Sequence, residues 1–516
     1  MIIITSAAYV SPALISEFGK LPPVMLPVQN KRLYEHQLDL IKKNDFGEIF
    51  ITLPQKYEVE EYDAIKLNDV GIVRIPENFT LGQSIVYALN VIGNYEDALY
   101  ILHGDTLFSR LDTTLDVYSI SFAEDNYAWS VVDGESDERV FSGFFSFSSV
   151  SGLIQMITES NYNFIKGVKA YIKGKFMNPV SLDNWMDFGL VNTYYRSISK
   201  LTTQRIFNDL KIGKYSVVKY SRDSRKILAE ANWFASLPPK MRYYAPALWN
   251  KGVTDDGRGY YEIEYYYLSS LATLFVFGKI PVFVWKEIMK SCVDFIECEA
   301  QYKPVNIADV TRQNNLYFAD KTNERLSVFC EKAGIDMNTP WVINDILVPS
   351  LAEIVEETDR SIRKDCSEFT TLMHGDFCFS NILYDFKSKS IRVIDPRGID
   401  NSGVVSIYGD LRYDVAKLSH SVLGMYDFII AGHFYYSEKN KYNVTIDFKK
   451  SRMLDDLQCD FKKNKINGYT LKELSVYPML VHLFLSMLPL HSDNVRRQKA
   501  MLANALRLYV EFKKNS

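Results

Sequence analysis

The chain of 516 residues is roughly three times a typical domain of about 150 residues, so two or three domains are expected. Its 47% hydrophobic and 24% charged residues exclude wholesale disorder. The 59 basic and 63 acidic side chains leave a net charge of −4 and no basic field for general nucleic-acid binding. The longest apolar run near either end, Val476 to Leu490, is too short for a membrane span and is interrupted by Pro478, His482 and Pro489. At the front, Met1-Ile-Ile-Ile-Thr5 has no basic segment before its apolar residues, so it reads as a first strand and the protein as cytoplasmic. The six cysteines all lie in the second half without zinc-type spacing, and are expected to be reduced and structural.

In chain order, residues 1–8 are followed by a helical pattern from Leu33 to Lys43, with Tyr34, Leu38 and Ile41 on one face. Glu48-Ile-Phe-Ile-Thr-Leu53 predicts a strand stopped by Pro54, and Gly71-Ile-Val-Arg-Ile75 another. Gly82 to Ile92 returns to helical spacing. Ala98-Leu-Tyr-Ile-Leu102 is continuously apolar, as in the middle of a parallel sheet covered on both faces. Strands alternating with helices predict a doubly wound α/β unit, whose ligands bind beyond the carboxyl ends of its strands. His103-Gly104-Asp105-Thr106 stands at such an end, where a carboxylate can hold magnesium and a glycine admits a ligand to the backbone.

Three further stretches, Gly19-Lys20-Leu-Pro-Pro-Val-Met-Leu-Pro-Val28, Leu81-Gly-Gln83-Ser84 and Trp185-Met-Asp187-Phe-Gly189, complete a pattern over residues 1–197 that resembles sugar-1-phosphate nucleotidyltransferases. The resemblance implies a GT-A-like fold and a role for Lys20 in charge neutralisation. It also implies nucleotide contacts at Gln83 and Gly104, and metal binding by Asp105 and Asp187. The second nucleoside triphosphate would be CTP, UTP or dTTP. One departure stands out: Thr5 to Phe18 contains neither the glycines nor the arginine of the family's triphosphate loop, and Lys20 sits further from Leu26-Pro-Val28 than the family places it.

The second half opens with Tyr215-Ser-Val-Val-Lys219-Tyr-Ser, a strand carrying one lysine suited to ATP phosphates. Glu230, in the helical segment that follows, is placed to pair with it. Asn208 to Gly213 reads as a short turn rather than a glycine-rich loop. Tyr260 to Leu268 reads as a strand entering an adenine-binding hinge. From Val282 to Thr371 the pattern is mostly helical, including a helix over Trp341 to Arg363 started by Thr339-Pro340.

The clearest signal is Leu372-Met-His374-Gly-Asp376-Phe-Cys-Phe-Ser-Asn381-Ile-Leu-Tyr384, followed by Ile391-Arg-Val-Ile-Asp395-Pro-Arg-Gly398. In kinase-type phosphoryl transfer one aspartate takes the acceptor's proton, while an asparagine and a second aspartate hold the magnesium ions on ATP. This spacing assigns Asp376 as the base and Asn381 and Asp395 as metal ligands. The pattern resembles aminoglycoside phosphotransferases and choline kinases, which implies a two-lobed protein-kinase-like fold and a small hydroxyl compound as acceptor. Asp395-Pro-Arg departs from that superfamily's commoner ending and leaves the acceptor open. Asp410 and Asp414 read as orienting residues, and His420 and His433 as packed or surface histidines rather than metal ligands.

The expected organisation is therefore a nucleotidyltransferase-like domain over 1–197 and a small-molecule kinase domain over 198–516, with its N-lobe over about 198–270 and helical C-lobe over about 271–516. The expected function is bifunctional: ATP-dependent phosphorylation of a sugar or small alcohol, then nucleotidyl transfer to a phosphorylated compound. Both steps would use magnesium and make an activated precursor for a capsule or other surface polysaccharide. The alternative is a kinase with a catalytically silent N-terminal binding module. No nucleic-acid partner is expected, and homo-oligomerisation is left open.

Overall fold

The computed structural model describes the chain apart from residues 123–128, 131–138, 202–207, 308–309, 311–317, 365–366, 401–402, 450 and 516. It divides into two compact units: Met1–Leu201 with Phe277–Lys279, and Thr202–Val276 with Ile280–Ser516. The first is a doubly wound α/β unit and the second a two-lobed, kinase-like α+β unit.

The first unit is built on a seven-stranded sheet in the spatial order Asn178–Ser181, Val117–Phe122, Arg139–Phe147, Leu99–His103, Ile2–Thr5, Ile49–Pro54 and Gly71–Ile75. Ile2–Thr5 lies parallel to both Ile49–Pro54 and Leu99–His103, with Ile4 opposite Leu102 and Thr5 opposite His103. Arg139–Phe147 alone runs antiparallel to its neighbours. Being covered on both faces, the central strands are apolar throughout: Ile2, Ile3, Ile4, Leu99, Ile101 and Leu102 are fully buried. Ile85 and Leu89 of the helix Leu81–Ile92 join Ile3, Leu99, Ile101, Leu153 and Val168 in one core. That helix begins where the Thr80 hydroxyl accepts from Gln83 N–H and ends at Gly93, whose φ of +72° suits a left-handed cap.

In the second unit, an antiparallel sheet in the order Asn208–Ile212, Ser216–Ser221, Gly259–Glu264 and Leu248–Val253 carries the helix Ser224–Ser236. Asn208–Ile212 is thus a strand and not the expected short turn. Its residues pair antiparallel with Ser216–Ser221, and the turn falls at Gly213–Tyr215. The larger lobe is mainly helical, with Val282–Glu299, Phe318–Ala333, Leu411–Val422, Val476–Met487 and Val495–Asn515 among its helices. The apolar run noted near the C-terminal end supplies Val476–Met487, whose residues Val476 to Leu485 are all buried.

One expectation fails in this lobe. Trp341 to Arg363 is not one helix: Pro340–Ile343 and Ile346–Ser350 form a hairpin, and the helix starts only at Leu351. Asn344 and Asp345, with φ of +50° and +62°, make the two-residue loop of a type I′ turn, which overrides the proline as a helix start. Trp341 and Ile343 point to the core, the strand period of two. The true helix start is a capping box in which Ser350 and Glu353 satisfy each other's backbone N–H. Among the described residues, no helix is long and apolar enough to cross a membrane.

Candidate active sites

In the second unit the motif residues converge. Lys219, central in Ser216–Ser221, donates to Glu230 Oε2 at 2.6 Å and to Asp395 Oδ1 at 3.1 Å. Tyr261 on the neighbouring strand adds its hydroxyl to the same Glu230 oxygen at 3.2 Å. Lys219 and Glu230 are almost wholly buried, whereas the Asp395 side chain is 29% exposed. Burial pulls the Lys219 ammonium down, but Asp395 and Glu230 more than reverse this and hold it above its usual value.

Opposite, Asn381 Nδ2 donates to both the backbone and the carboxylate of Asp376, at 3.0 and 2.9 Å. Ile394 N–H donates to Asn381 O, so the hairpin Ile382–Asp385/Ser390–Val393 returns Asp395 beside Asn381. His374 sits beneath. Its Nδ1 accepts from Asp376 N–H at 3.2 Å and its Nε2 bonds Ile394 O at 3.0 Å. Burial keeps this ring neutral, with a pKa of about 4. Gly375, at φ +81°, leaves room for Arg397: a Cβ there would fall 2.6 Å from Arg397 Cβ.

Two residues complete the loop. Asp414 accepts from the backbone N–H groups of His374, Gly375 and Phe377, an orienting part consistent with its reading from the sequence. Burial pushes its carboxyl up to about 7. Lys417, one turn along the same helix, places Nζ 2.7 Å from Asp376 Oδ1. Desolvation would raise Asp376, yet Lys417 and the Asn381 amide hold it below the usual carboxylate range. Lys417 was missed in the sequence, because an isolated lysine on a mostly buried helix carries no spacing signal. Asp410 forms a buried pair with Arg412 instead, and His420 packs between Tyr426 and Phe484, each ring centroid 4.4 Å away.

In the first unit, Thr106–Leu107 pairs antiparallel with Met186–Asp187, and Phe188 N–H donates to Asp105 O at 2.8 Å. This pairing faces the two carboxylates toward each other across Gly189, where a Cβ would lie 2.8 Å from Asp105 Oδ2 and 3.3 Å from Asp187 Oδ1. Burial first, then the Asp187 charge, pushes Asp105 up to about 7. The turn is held by Gln37, whose amide donates to His103 O and Thr106 O at 2.9 and 2.7 Å. Gly104 is required there, since a Cβ would meet Thr5 O at 2.7 Å.

The other predicted residues of this unit stand differently. The glycine-free segment forms a short helix, Pro12–Phe18, and Lys20 follows it, exposed, with Nζ 4.2 Å from the Tyr9 ring centroid. Gln83 is engaged in capping: its Oε1 accepts from Thr80 N–H at 2.8 Å. Thr80-x-x-Gln83 is a capping-box spacing, a signal in the sequence that points to this structural part. A cavity of about 600 Å³ opens beside it, lined by Leu81, Gly82, Trp129, Tyr162, Lys166 and Lys169 among others.

Both acid sets fit magnesium. Asp105 with Asp187, and Asn381 with Asp395, offer hard oxygen donors, and in the first pair both carboxylates face the same narrow gap beside Gly189. Among the described residues, no group of three or more His, Cys, Asp or Glu side chains forms a metal cluster.

No family model matches the chain, and no curated protein matches it. Solved structures do. A CTP:phosphocholine cytidylyltransferase from Streptococcus pneumoniae is similar at 20% identity, covering 39% of this chain and 98% of its own, with a TM-score of 0.31. An aminoglycoside phosphotransferase in ternary complex with AMP-PNP and hygromycin B is similar at 13% identity, covering 60% of this chain and 92% of its own, with a TM-score of 0.36. An inositol-1-phosphate CTP transferase from T. maritima matches at 12% identity over 39% of this chain and 95% of its own, with a TM-score of 0.31. They are enzymes of the two kinds that the sequence resembles.

Proposed function

We propose that the second unit phosphorylates a small hydroxyl compound with ATP and that the first transfers a nucleotidyl group from CTP, UTP or dTTP to a phosphorylated compound. The product would be an activated precursor for a surface polysaccharide. The observation that carries the kinase reading is the meeting of Lys219, Glu230 and Asp395 on one side with Asp376 and Asn381 on the other.

In this reading Asp376 accepts the acceptor's hydroxyl proton. Its lowered pKa keeps it ionised at neutral pH, and Asn381 and Lys417 fix its orientation. Lys219, released from Asp395, contacts the α- and β-phosphates while Glu230 holds its direction. Asn381 and Asp395 would hold magnesium here, as would Asp105 and Asp187 in the first unit; when bound, the ion supplies positive charge against phosphate oxygens. No protein nucleophile is needed for nucleotidyl transfer: a substrate phosphate oxygen attacks the α-phosphorus and pyrophosphate leaves. Gly104 admits the nucleotide to the backbone and Lys20 adds charge.

The helix Pro12–Phe18 in place of a glycine–arginine loop favours a second reading, a kinase whose first unit only binds. One assay tests both. The full chain is incubated with magnesium, each nucleoside triphosphate and a panel of sugars, polyols, amino alcohols and their phosphates, and ADP and pyrophosphate release are followed. ADP without pyrophosphate from any combination selects the second reading. Neither product from any combination overturns the proposal.

A further inference from the structure

A second cavity lies in the larger lobe of the second unit, and none of the residues assigned to phosphoryl transfer borders it. Its walls are the end of the helix Phe318–Ala333, the start of Val495–Asn515, and the strands Pro340–Ile343, Tyr435–Asn440 and Asn443–Asp447. These strands are neighbours in one sheet, with Ile343 opposite Val444 and Glu438 opposite Val444 on its other side. The volume is about 690 Å³, within the roughly 300–1,000 Å³ of small-molecule sites. Phe329, Trp341, Val444, Leu502 and Ala503 line it and are all buried, so its inner surface is apolar. Val328 and Val495 line it too but are 42% and 63% exposed, which marks the mouth on the two helices.

Charge around this cavity is one-sided. Lys332, Lys439, Lys441 and Lys499 line it against one acid, Glu438, among the described residues. Glu438 is already engaged, since both its oxygens accept from Lys499 Nζ at 2.9 Å. Lys439 is met from outside the cavity by Asp345, 2.9 Å from its Nζ. Two cations remain. Lys441 Nζ donates to Gly334 O, a neutral acceptor, and Lys332 has no hydrogen bond or ion pair among the described residues. The Gly334 contact sets Lys441 against the chain just past Lys332, at one end of the helix Phe318–Ala333. The carbonyls of a helix end carry about half a negative charge, which offsets only part of two positive ones. An apolar cavity with ammonium groups at one edge is the complement of a molecule with an apolar body and an anionic head.

We infer that this cavity binds a small amphipathic anion, its apolar body against Phe329, Trp341, Val444 and Leu502 and its carboxylate or phosphate at Lys332 and Lys441. The walls come from three sides, which suits one enclosed molecule rather than a flat membrane surface. The inference goes beyond the two transferase sites and does not depend on either.

The test titrates the full chain by calorimetry with four probes that share one alkyl chain: octanoate, octyl phosphate, octanol and octyltrimethylammonium, each kept monomeric. The expected result is one site per chain for octanoate or octyl phosphate, the better of the two naming the head group. Octanol should bind about tenfold more weakly and the ammonium probe not at all. Lys332→Glu and Lys441→Glu should each weaken the anionic probe about three- to tenfold while leaving octanol unchanged. Ala503→Phe, which fills the inner wall, should abolish binding of every probe. Both lysines are exposed, so their variants decide the matter if Ala503→Phe does not fold. Equal affinity for octanol and the anions would overturn the anionic head, and binding unchanged in the lysine variants would place the ligand elsewhere. Failure of both anions to bind below about 1 mM would overturn the site itself. Flotation of the chain with phosphatidylglycerol vesicles, without binding of either soluble anion, would overturn it in favour of a membrane contact.

Discussion

Lys417 Nζ stands 2.7 Å from Asp376 Oδ1, so the residue assigned as base is paired to a cation supplied by a helix well downstream of its own loop. Replacing Lys417 by Met leaves the desolvation of Asp376 uncompensated, and the carboxyl moves up. Because the base works deprotonated, the acid limb of the kcat/KM profile should shift to higher pH, with kcat down about 10–100-fold. Lys417→Arg should restore most of the profile. A pH profile of the Met variant that overlays the native one would remove this part from Lys417.

Asp376→Asn removes the proposed proton acceptor while keeping an oxygen to accept from the Asn381 amide. ATP-dependent phosphorylation should fall about 10²–10⁴-fold, with ATP binding retained in a thermal-shift titration. Undiminished ADP release would place the base elsewhere.

Asp105→Asn separates the two units. Pyrophosphate release should cease while ADP release continues at the native rate, so that product accumulates at the phosphorylated stage. If pyrophosphate release persisted, Asp105 and Asp187 would not be the metal-binding pair.

Gly398 has a φ of +66°, and a Cβ there would fall 2.2 Å from Ala229 O, in the helix that carries Glu230. Gly398→Ala should therefore cost about 1–3 kcal/mol in denaturant unfolding and weaken ATP binding. Gly174→Ala, in open space on an exposed helix face, is the control and should be neutral or slightly stabilising.

His482 is enclosed, with Nδ1 3.0 Å from Thr322 Oγ1 and Nε2 3.0 Å from Thr358 Oγ1, and burial lowers its pKa from 6.5 to about 4. The unfolded chain takes up this proton first. The contribution is thus complete above about pH 6.5 and is lost as pH falls toward 4, on the order of 3 kcal/mol in all. His482→Gln should be less stable at pH 7 but lose less between pH 7 and 4.5, read as the change in urea midpoint. An equal loss in both proteins would show that another group governs acid stability.

Much of this was legible because local chemistry and global fold agree. The central strands announce themselves as runs of Ile and Leu, and the loop from His374 to Asn381 must converge because its hairpin returns within a few residues. The stretch after Thr339-Pro340 was misread since a helix start and a hairpin share a leading proline; Asn344-Asp345 held the deciding turn chemistry. Gln83 has a local duty as a cap that resemblance alone hid. Lys417 was invisible for another reason. It reaches Asp376 only through helix packing, and no spacing along the chain encodes which faces of distant helices will meet.

The contact of Lys219 with Asp395 carries a consequence for how the nucleotide gets in. On the kinase reading, the ammonium stands at the Asp395 oxygen that a metal ion would use, and it keeps Glu230 and Asp395, acids that would otherwise repel, in register across the lobes. Loading would then be a swap of one positive tenant for another rather than the filling of a void, with the lysine left free to greet the phosphates.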